Sequence, residues 1–319
     1  MSATNKLNER STALCREVQA TADELDVQVI ALNNGATILD FGSDRKGSAE
    51  AGIQLAKICM SDLANVEQVL SPLEDFPYAF LKVETEFPLS ACIASQYAGW
   101  PFSTENIFSM CSGPARTKRG LEEILTKFQL DNNREGYAVG IFETNRLPNE
   151  NDIAEFAQEC HCKPSQVVIC IAKTCSLPGT MQVVARSVET AMHKLFEIGF
   201  DLTKVKKGIG VAPICPLGKD DYQSMGWTND SILYGGEVEL WIEDAGDVND
   251  LVRQLPSSSS TEYGRPFIEI FEYYERDFYK VDRMLFSPAK VTVHCQASGR
   301  SAQAGEIRTD LMFESFKSK

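Results

Sequence analysis

Apolar positions recur with a helical period in several stretches of the chain. Leu7, Leu14, Val18 and Leu25 fall roughly on one side, predicting a first helix over 7–25. VQVIALNNGATILDF follows as two strands joined around Asn33-Asn34-Gly35, because Asn and Gly accept the positive φ of a tight hairpin turn. Ile53, Leu55 and Ile58 mark a second helix over 48–63. VEQVL and YAFLKVETE read as strands, whereas FPLSACIASQYAGW fits either a strand or a short helix. A helix over 118–128, the strand GYAVGIFET, a helix over 152–160 and the buried strand QVVICIAK come next. In QVVARSVETAMHKL, residues 182–195, the β-branched pair Val183-Val184 reads as a strand end. Val188, Met192 and Leu195 at i, i+4 and i+7 then predict a helix. Farther on, Asn229-Asp230 is expected to cap a short turn before Tyr234. VELWIE is a strand, 248–255 a helix, PSSSSTEYGRPF a flexible loop, and Ser287-Pro288 precedes a strand in MLFSPAKVTVHC.

These short units mix strands and helices without regular βαβ alternation. The expected architecture is α+β (mixed α/β), with largely antiparallel sheets and packed helices. A chain of 319 residues favours two domains over one. The functional groove is expected between them, and their boundaries need not be continuous in sequence.

Composition narrows the function. With 43% hydrophobic and 24% charged residues the chain is an ordinary globular one. Its net charge of −14 argues against nucleic acid or an anionic membrane as partner, so an anionic ligand requires a local Arg/Lys cluster. No apolar run approaches the length of a membrane span. Ten cysteines, most of them inside apolar runs, together with an N-terminus lacking a signal-peptide core, point to a reducing cytoplasm.

Three stretches carry candidate chemistry. Arg186 and Glu189 sit three apart at the start of a predicted helix, on neighbouring positions of one face, where the helix dipole favours an ionised carboxylate. Taken alone, that spacing also describes a common surface ion pair. The small-residue segment Ser112-Gly113-Pro114 leads through Arg116 into a helix and suits either a groove wall that receives a polar ligand or an ordinary capping loop. As a groove wall, it predicts that Gly113→Val raises KM more than it lowers kcat. Cys160-His161-Cys162 has poor chelate spacing and no second cluster in range, so no metal site is expected. GIGVAP lacks the third glycine of a dinucleotide fingerprint, and P-loop, HExxH and GxSxG motifs do not occur.

An ordered set of blocks resembles the methenyltetrahydromethanopterin cyclohydrolase family. The blocks are CSGPAR (111–116), QVVARSVETAMHKL (182–195), GIGVAPICP (208–216), MGWTNDSILYGG (225–236), YGRPFIEIF (263–271), DFYKVD (277–282) and LFSPAKV (285–291), with NNGATILDFG near the N-terminus. Cys111 stands where relatives usually carry Gly, Ile214 and Cys215 where prolines often occur, and the Cys160-His161-Cys162 run is not a family motif. The resemblance spans nearly the whole of the single assigned region 1–319 and implies reversible hydrolysis of the methenyl bridge of 5,10-methenyltetrahydromethanopterin to the N5-formyl compound. That is cyclic-amidine hydrolase chemistry. It implies Glu189 and Arg186 as catalytic residues; Ser112, Gly113, Arg116, Asn229, Asp230 and Tyr234 are the substrate-binding residues expected beside them. No metal or organic cofactor is expected, and a homotrimer is implied by the resemblance alone. A silent pterin-binding protein and a Cys/His-dependent amidohydrolase are the competing readings. A binder would not require both Arg186 and Glu189, and no nucleophile signature surrounds any cysteine.

Overall fold

The computed structural model describes residues 6–130 and 136–317. The chain forms two compact units, one made of Met1–Ala64 with Ser90–Gln182 and the other of Asn65–Leu89 with Val183–Lys319. Its strands in chain order are β1 (Gln28–Ala31), β2 (Thr37–Gly42), β3 (Asn65–Val69), β4 (Phe80–Thr85), β5 (Trp100–Ser103) and β6 (Phe108–Ser112), then β7 (Ala138–Glu143), β8 (Val167–Ala172), β9 (Val205–Pro213), β10 (Glu237–Ile242), β11 (Lys290–Cys295) and β12 (Arg300–Gly305).

The first unit holds a six-stranded sheet of order β1-β2-β8-β7-β6-β5. Only the pairings of β8 with β2 and with β7 are parallel. Every residue of β8 is buried, as expected for a central strand covered on both faces. Val168 and Cys170 pack with Leu14, Val18 and Leu55 from the helices Leu7–Ala20 and Ala49–Cys59. Ile169 and Ile171 face the other way, toward Trp100, Phe142 and Phe156. The predicted hairpin and second helix form, Ser48 capping the latter through the Ala51 amide.

The second unit holds a six-stranded sheet of order β12-β11-β10-β9-β4-β3, in which only β10 and β11 run parallel. The expected α+β class with largely antiparallel sheets is what the chain adopts. In β10 and β11 burial alternates strictly: Val238, Leu240, Val291 and Val293 are buried, whereas Glu239, Trp241 and His294 lie on the more open face. There His294 Nε2 meets Glu239 Oε2 at 2.9 Å and its ring stacks on Trp241.

Several expectations are corrected. Val183-Val184 ends the helix Leu177–Val184 rather than a strand. Ser176 caps that helix by accepting the Gly179 amide, and Pro178 sits in its first turn, where no N–H is required. Burial of Val184 then overrides β-propensity. The ambiguous segment is a π-helix, Leu89–Gln96. The helix expected over 118–128 is two short helices, Ala115–Arg119 and Glu123–Lys127. The Ser-rich loop is tied down rather than loose. Ser257 Oγ donates to Leu233 O at 2.5 Å and Ser260 Oγ to Asp282 Oδ2 at 2.5 Å. Strand β12 and the helix Thr309–Lys317 have no counterpart in the sequence reading.

Candidate active site

Arg186 and Glu189 come together at the start of one helix. The helix Leu177–Val184 passes through Ala185 and Arg186 directly into the helix Ser187–Glu197. The Arg186 amide donates to Val183 O at 3.0 Å, and the Thr190 amide donates to Arg186 O at 2.8 Å. Arg186 occupies the N-cap position without a side-chain cap, and Glu189 lies in the first turn. Only 6% of Arg186 and 5% of Glu189 is exposed, so the bland surface ion pair is not what forms. Charged groups this buried persist only with partners, and neither is left without one.

The apolar side of that helix explains its placement. Val188, Met192 and Leu195 are fully buried, at the predicted spacing, and Ala191 is buried with them. Beneath the first turn runs β9, where GIGVAP forms a strand. A Cβ at Gly208 would meet Val188 Cγ1 at 2.6 Å, and one at Gly210 would collide with Ser187 Oγ. These glycines let the helix start approach the sheet backbone, which is what GIG supplies here instead of nucleotide binding. Ser187 Oγ is fully buried and has no hydrogen-bond partner. An unmet hydroxyl of this kind costs about 1–3 kcal/mol.

Lys194 is a functional candidate that the sequence reading missed. It is fully buried, and its Nζ donates to Ser259 Oγ at 2.8 Å and to Met284 O. Burial lowers its pKa to about 8. It pins the Glu189 helix to the loops around 259 and 284. The helical period offered the signal, since Lys194 lies three residues after the buried Ala191. His193 Nε2 lies 3.3 Å from Glu197 Oε1, one helix turn on.

The second predicted group, Ser112, Gly113 and Arg116, lies in the first unit. Ser112 ends β6 and is buried beside Cys59, Oγ to Sγ at 3.4 Å. Arg116 is fully buried. Its Nε donates to Glu122 Oε1 at 2.8 Å, Nη2 to Glu122 Oε2 and Nη1 to Ile93 O at 3.0 Å, and its guanidinium stacks over Tyr97. With its fork committed to Glu122 and the π-helix, Arg116 fixes the loop's shape rather than presenting a free charge. Gly113 has φ +93°, donates to Ser95 O at 2.8 Å, and leaves no room for a Cβ, which would lie 2.5 Å from Ile141 Cδ1. The expectation that Gly113→Val raises KM more than it lowers kcat therefore gives way to a structural one. Overpacking and the left-handed φ each cost about 1–3 kcal/mol, so the urea midpoint should fall sharply and activity should be lost with the fold. A Val variant with a wild-type midpoint would contradict this.

Asn229, Asp230 and Tyr234 lie within the fifteen-residue helix Asp221–Gly235, not at a turn cap. Asn229 is half-buried and its Nδ2 donates back to Met225 O at 2.8 Å. Asp230 is fully buried; Oδ1 accepts the Phe267 amide at 2.9 Å and Oδ2 accepts the Ser315 hydroxyl at 2.6 Å. Tyr234 donates to Arg265 O at 2.5 Å, and burial raises its phenol pKa. Asp230 and Tyr234 thus anchor the YGRPF segment and the helix Phe267–Tyr273 that follows it.

Burial pushes the Asp230 carboxyl up to about 7 from an ordinary 3.8. The folded state therefore holds a proton that the unfolded state has released between about pH 4 and pH 7. Its contribution is full below about pH 4 and is lost as pH rises to about 7, by up to about 4 kcal/mol. Asp230→Asn keeps an acceptor for Phe267 and carries no charge. It should raise stability at neutral pH and flatten its pH dependence across that window, as read by urea unfolding at several pH values. An unchanged slope would contradict the assignment.

Cys160-His161-Cys162 forms the turn leaving the helix Glu150–Glu159, with His161 at φ +54°. Cys160 is buried and its thiol is pushed well up by desolvation. Among the described residues no group of three or more His, Cys, Asp or Glu side chains is placed to hold a metal ion. All ten cysteines are free thiols.

Known proteins match nearly the whole length of this chain. The family model described as Cyclohydrolase (MCH) matches residues 6–316. A methenyltetrahydromethanopterin cyclohydrolase of Rhodopirellula baltica is 45% identical over 287 residues, covering 88% of this chain and 86% of its own. Proteins of the same name are 39% identical over 317 residues in Methanococcoides burtonii (97% and 98% covered) and 37% over 312 residues in Methylobacillus flagellatus (97% and 95%). With a family model spanning 6–316 and full-length relatives well above 30% identity, the chain belongs to the cyclohydrolase (MCH) family, that of the methenyltetrahydromethanopterin cyclohydrolases.

Proposed function

We propose that this chain catalyses the reversible hydrolysis of 5,10-methenyltetrahydromethanopterin to N5-formyltetrahydromethanopterin. The observation that carries the reading is the near-complete match to proteins bearing that name. The bridge carbon of the substrate is a cationic amidinium and already electrophilic, so the reaction is proposed to need neither a metal nor an organic cofactor. What the protein must supply is a placed water, a base for its proton and stabilisation of the adduct while the C–N10 bond breaks.

Glu189 is the proposed base. A carboxylate attracts the amidinium cation and accepts the proton of the attacking water. Its place in the first turn of the helix Ser187–Glu197 supports the assignment, because the helix dipole there favours the ionised form. Arg186, one helix turn before it, is proposed to hold and orient that carboxylate. Ser112, Gly113, Arg116, Asn229, Asp230 and Tyr234 are proposed to act on the substrate mainly by shaping the segments that meet it, since the polar atoms of Arg116, Asp230 and Tyr234 are engaged internally. A homotrimer in the cytoplasm completes the proposal. No described helix is long and apolar enough to cross a membrane.

One spectrophotometric experiment tests the reading. Loss of the methenyl chromophore is followed with methenyltetrahydromethanopterin and, in parallel, methenyltetrahydrofolate, each with and without EDTA. Enzyme-dependent loss with the first substrate, unaffected by chelation, is the expected result. Binding of the pterin without chromophore loss would replace the enzyme with a silent binder, and zinc-dependent recovery after EDTA would refute the metal-free mechanism.

A further inference from the structure

We infer that His193 carries the proton set free in each hydrolysis from Glu189 out to solvent, a role that rests on the proposed hydrolysis and its assignment of Glu189. His193 acts through Glu189 and touches no reacting atom. Arg186, Glu189, His193 and Glu197 recur at i, i+3, i+7 and i+11, so they form one stripe along the helix, opposite the buried Val188, Met192 and Leu195. Exposure rises along that stripe. Glu189 is buried, while the side chain of His193 is 12% exposed and that of Glu197 18%. Arg283, from the short helix Arg283–Leu285, meets Glu197 Oε1 at 3.4 Å and is open to solvent. Residues four apart on a helix have Cβ atoms about 5–6 Å from each other, which puts Glu189 and His193 within reach directly or through one water. Helical side chains also lean toward the N-terminus, so the turn that His193 covers is the one carrying Glu189.

The far side of the ring is tied to Glu197, Nε2 to Oε1 at 3.3 Å. A carboxylate can only accept, so the neutral imidazole keeps its proton on Nε2 and offers Nδ1 as an acceptor. The hydrogen bond from His193 holds the Glu197 carboxyl below its ordinary range, and the charge of Arg283 adds to the effect. Glu197 therefore stays ionised and steadies the imidazolium when the ring takes a second proton.

The proposed reaction leaves one proton over. Water brings two as its oxygen bonds to the amidinium carbon. Glu189 takes the first and returns it to N10 as the C–N10 bond breaks. It then takes the second from the O–H that becomes the formyl carbonyl. The substrate has lost its positive charge, and Glu189 is left as the neutral acid, which cannot serve as a base again until that proton leaves. Burial keeps bulk buffer from taking it directly. Nδ1 of His193 accepts the proton, the Glu189 carboxylate is restored, and the imidazolium passes a proton on to solvent. Histidine suits the task because an imidazole gains and loses a proton near neutral pH.

His193→Ala in the full chain tests this with saturating methenyltetrahydromethanopterin at fixed pH and ionic strength, in dilute and in concentrated buffer, with urea unfolding alongside. The wild-type kcat should ignore buffer concentration. In dilute buffer the variant should show a kcat lower by about ten- to a hundredfold with KM within about twofold. Added imidazole should restore most of the lost rate in the variant and leave the wild type unchanged, a readout that a merely structural residue would not move. His193→Gln keeps a hydrogen-bond donor for Glu197 but cannot take up a proton, so it should show the same loss, and it serves if the Ala variant fails to fold. Wild-type kcat in dilute buffer, or a loss that neither imidazole nor concentrated buffer restores, would overturn the relay and leave the proposed hydrolysis standing. Failure of both variants to fold would do the same, because the ring would then be a structural strut. Absence of turnover by the unsubstituted chain would overturn the hydrolysis and this inference together.

Discussion

Replacing Glu189 with Gln should lower kcat for methenyltetrahydromethanopterin hydrolysis by about a hundredfold or more while the fold survives. Gln keeps the length and planarity of the side chain and removes the charge. Two contributions therefore disappear together: the proton acceptor for the attacking water and the anion facing the amidinium cation. Loss of general-base help alone is worth about 10²–10⁴ in rate. Because Glu189 is only 5% exposed, solvent is poorly placed to substitute for it, which argues for the upper part of that range. The measurement is single-wavelength decay of the methenyl chromophore at saturating substrate, with circular dichroism and urea unfolding as checks on the fold. A Gln variant that turns over at a near-normal rate would remove Glu189 from the mechanism.

The helix that presents Glu189 was legible because its signal is local. Val188, Met192 and Leu195 announce a buried stripe from spacing alone, and the structure buries all three. The same holds for β8, whose uninterrupted apolar run has no other place than the middle of a sheet. What failed to show was anything decided by a distant partner. Asp230 reads as a turn cap because Asn-Asp pairs usually are. Its actual work is to receive the Phe267 amide, 37 residues later, and the Ser315 hydroxyl, 85 later. Arg116 reads as an available cation until its fork is found closed on Glu122, six residues on. Val183-Val184 misled for the opposite reason: its β-branched pair spoke for a strand, but Ser176 and Pro178 start a helix just upstream. Strand β12 gave no signal, since RSAQAG is an edge strand with no buried residue to set an alternating pattern.

Of the candidate site, Arg186 and Glu189 were visible as a spacing, but their chemistry came from the resemblance of whole blocks. A buried carboxylate at a helix start serves many reactions. Neither the requirement for Gly208 and Gly210 nor the orphaned Ser187 hydroxyl could be read from the chain, since a glycine in a strand acquires meaning only from what lies against it. Here that neighbour is the turn that carries the proposed base, which makes the glycines testable.

Gly208→Ala should lower kcat by about ten- to a hundredfold, and Val188→Ala should restore most of it in the double variant. The added Cβ would lie 2.6 Å from Val188 Cγ1, closer than side-chain carbons approach, with Leu240 Cδ2 next at an ordinary 3.5 Å. One side must yield. Strand β9 is hydrogen-bonded to β4 on one edge and β10 on the other, so the sheet holds and the helix start is displaced. Val188 lies immediately before Glu189, so the displacement reaches the proposed base directly. A misplacement near 1 Å costs about a hundredfold in rate, and overpacking costs about 1–3 kcal/mol in stability. Removing the Val188 methyls clears the collision, so kcat and the urea midpoint should recover together. A non-additive double-mutant cycle is the signature of this contact. Ile209→Val serves as control, because Ile209 sits on the half-buried face of the same strand, away from the helix, and should shift stability by under about 1.5 kcal/mol with kcat unchanged. If Gly208→Ala keeps its rate, the first turn of the helix is not registered by β9. If Val188→Ala fails to rescue it, the loss comes from the strand rather than from the turn that carries Glu189.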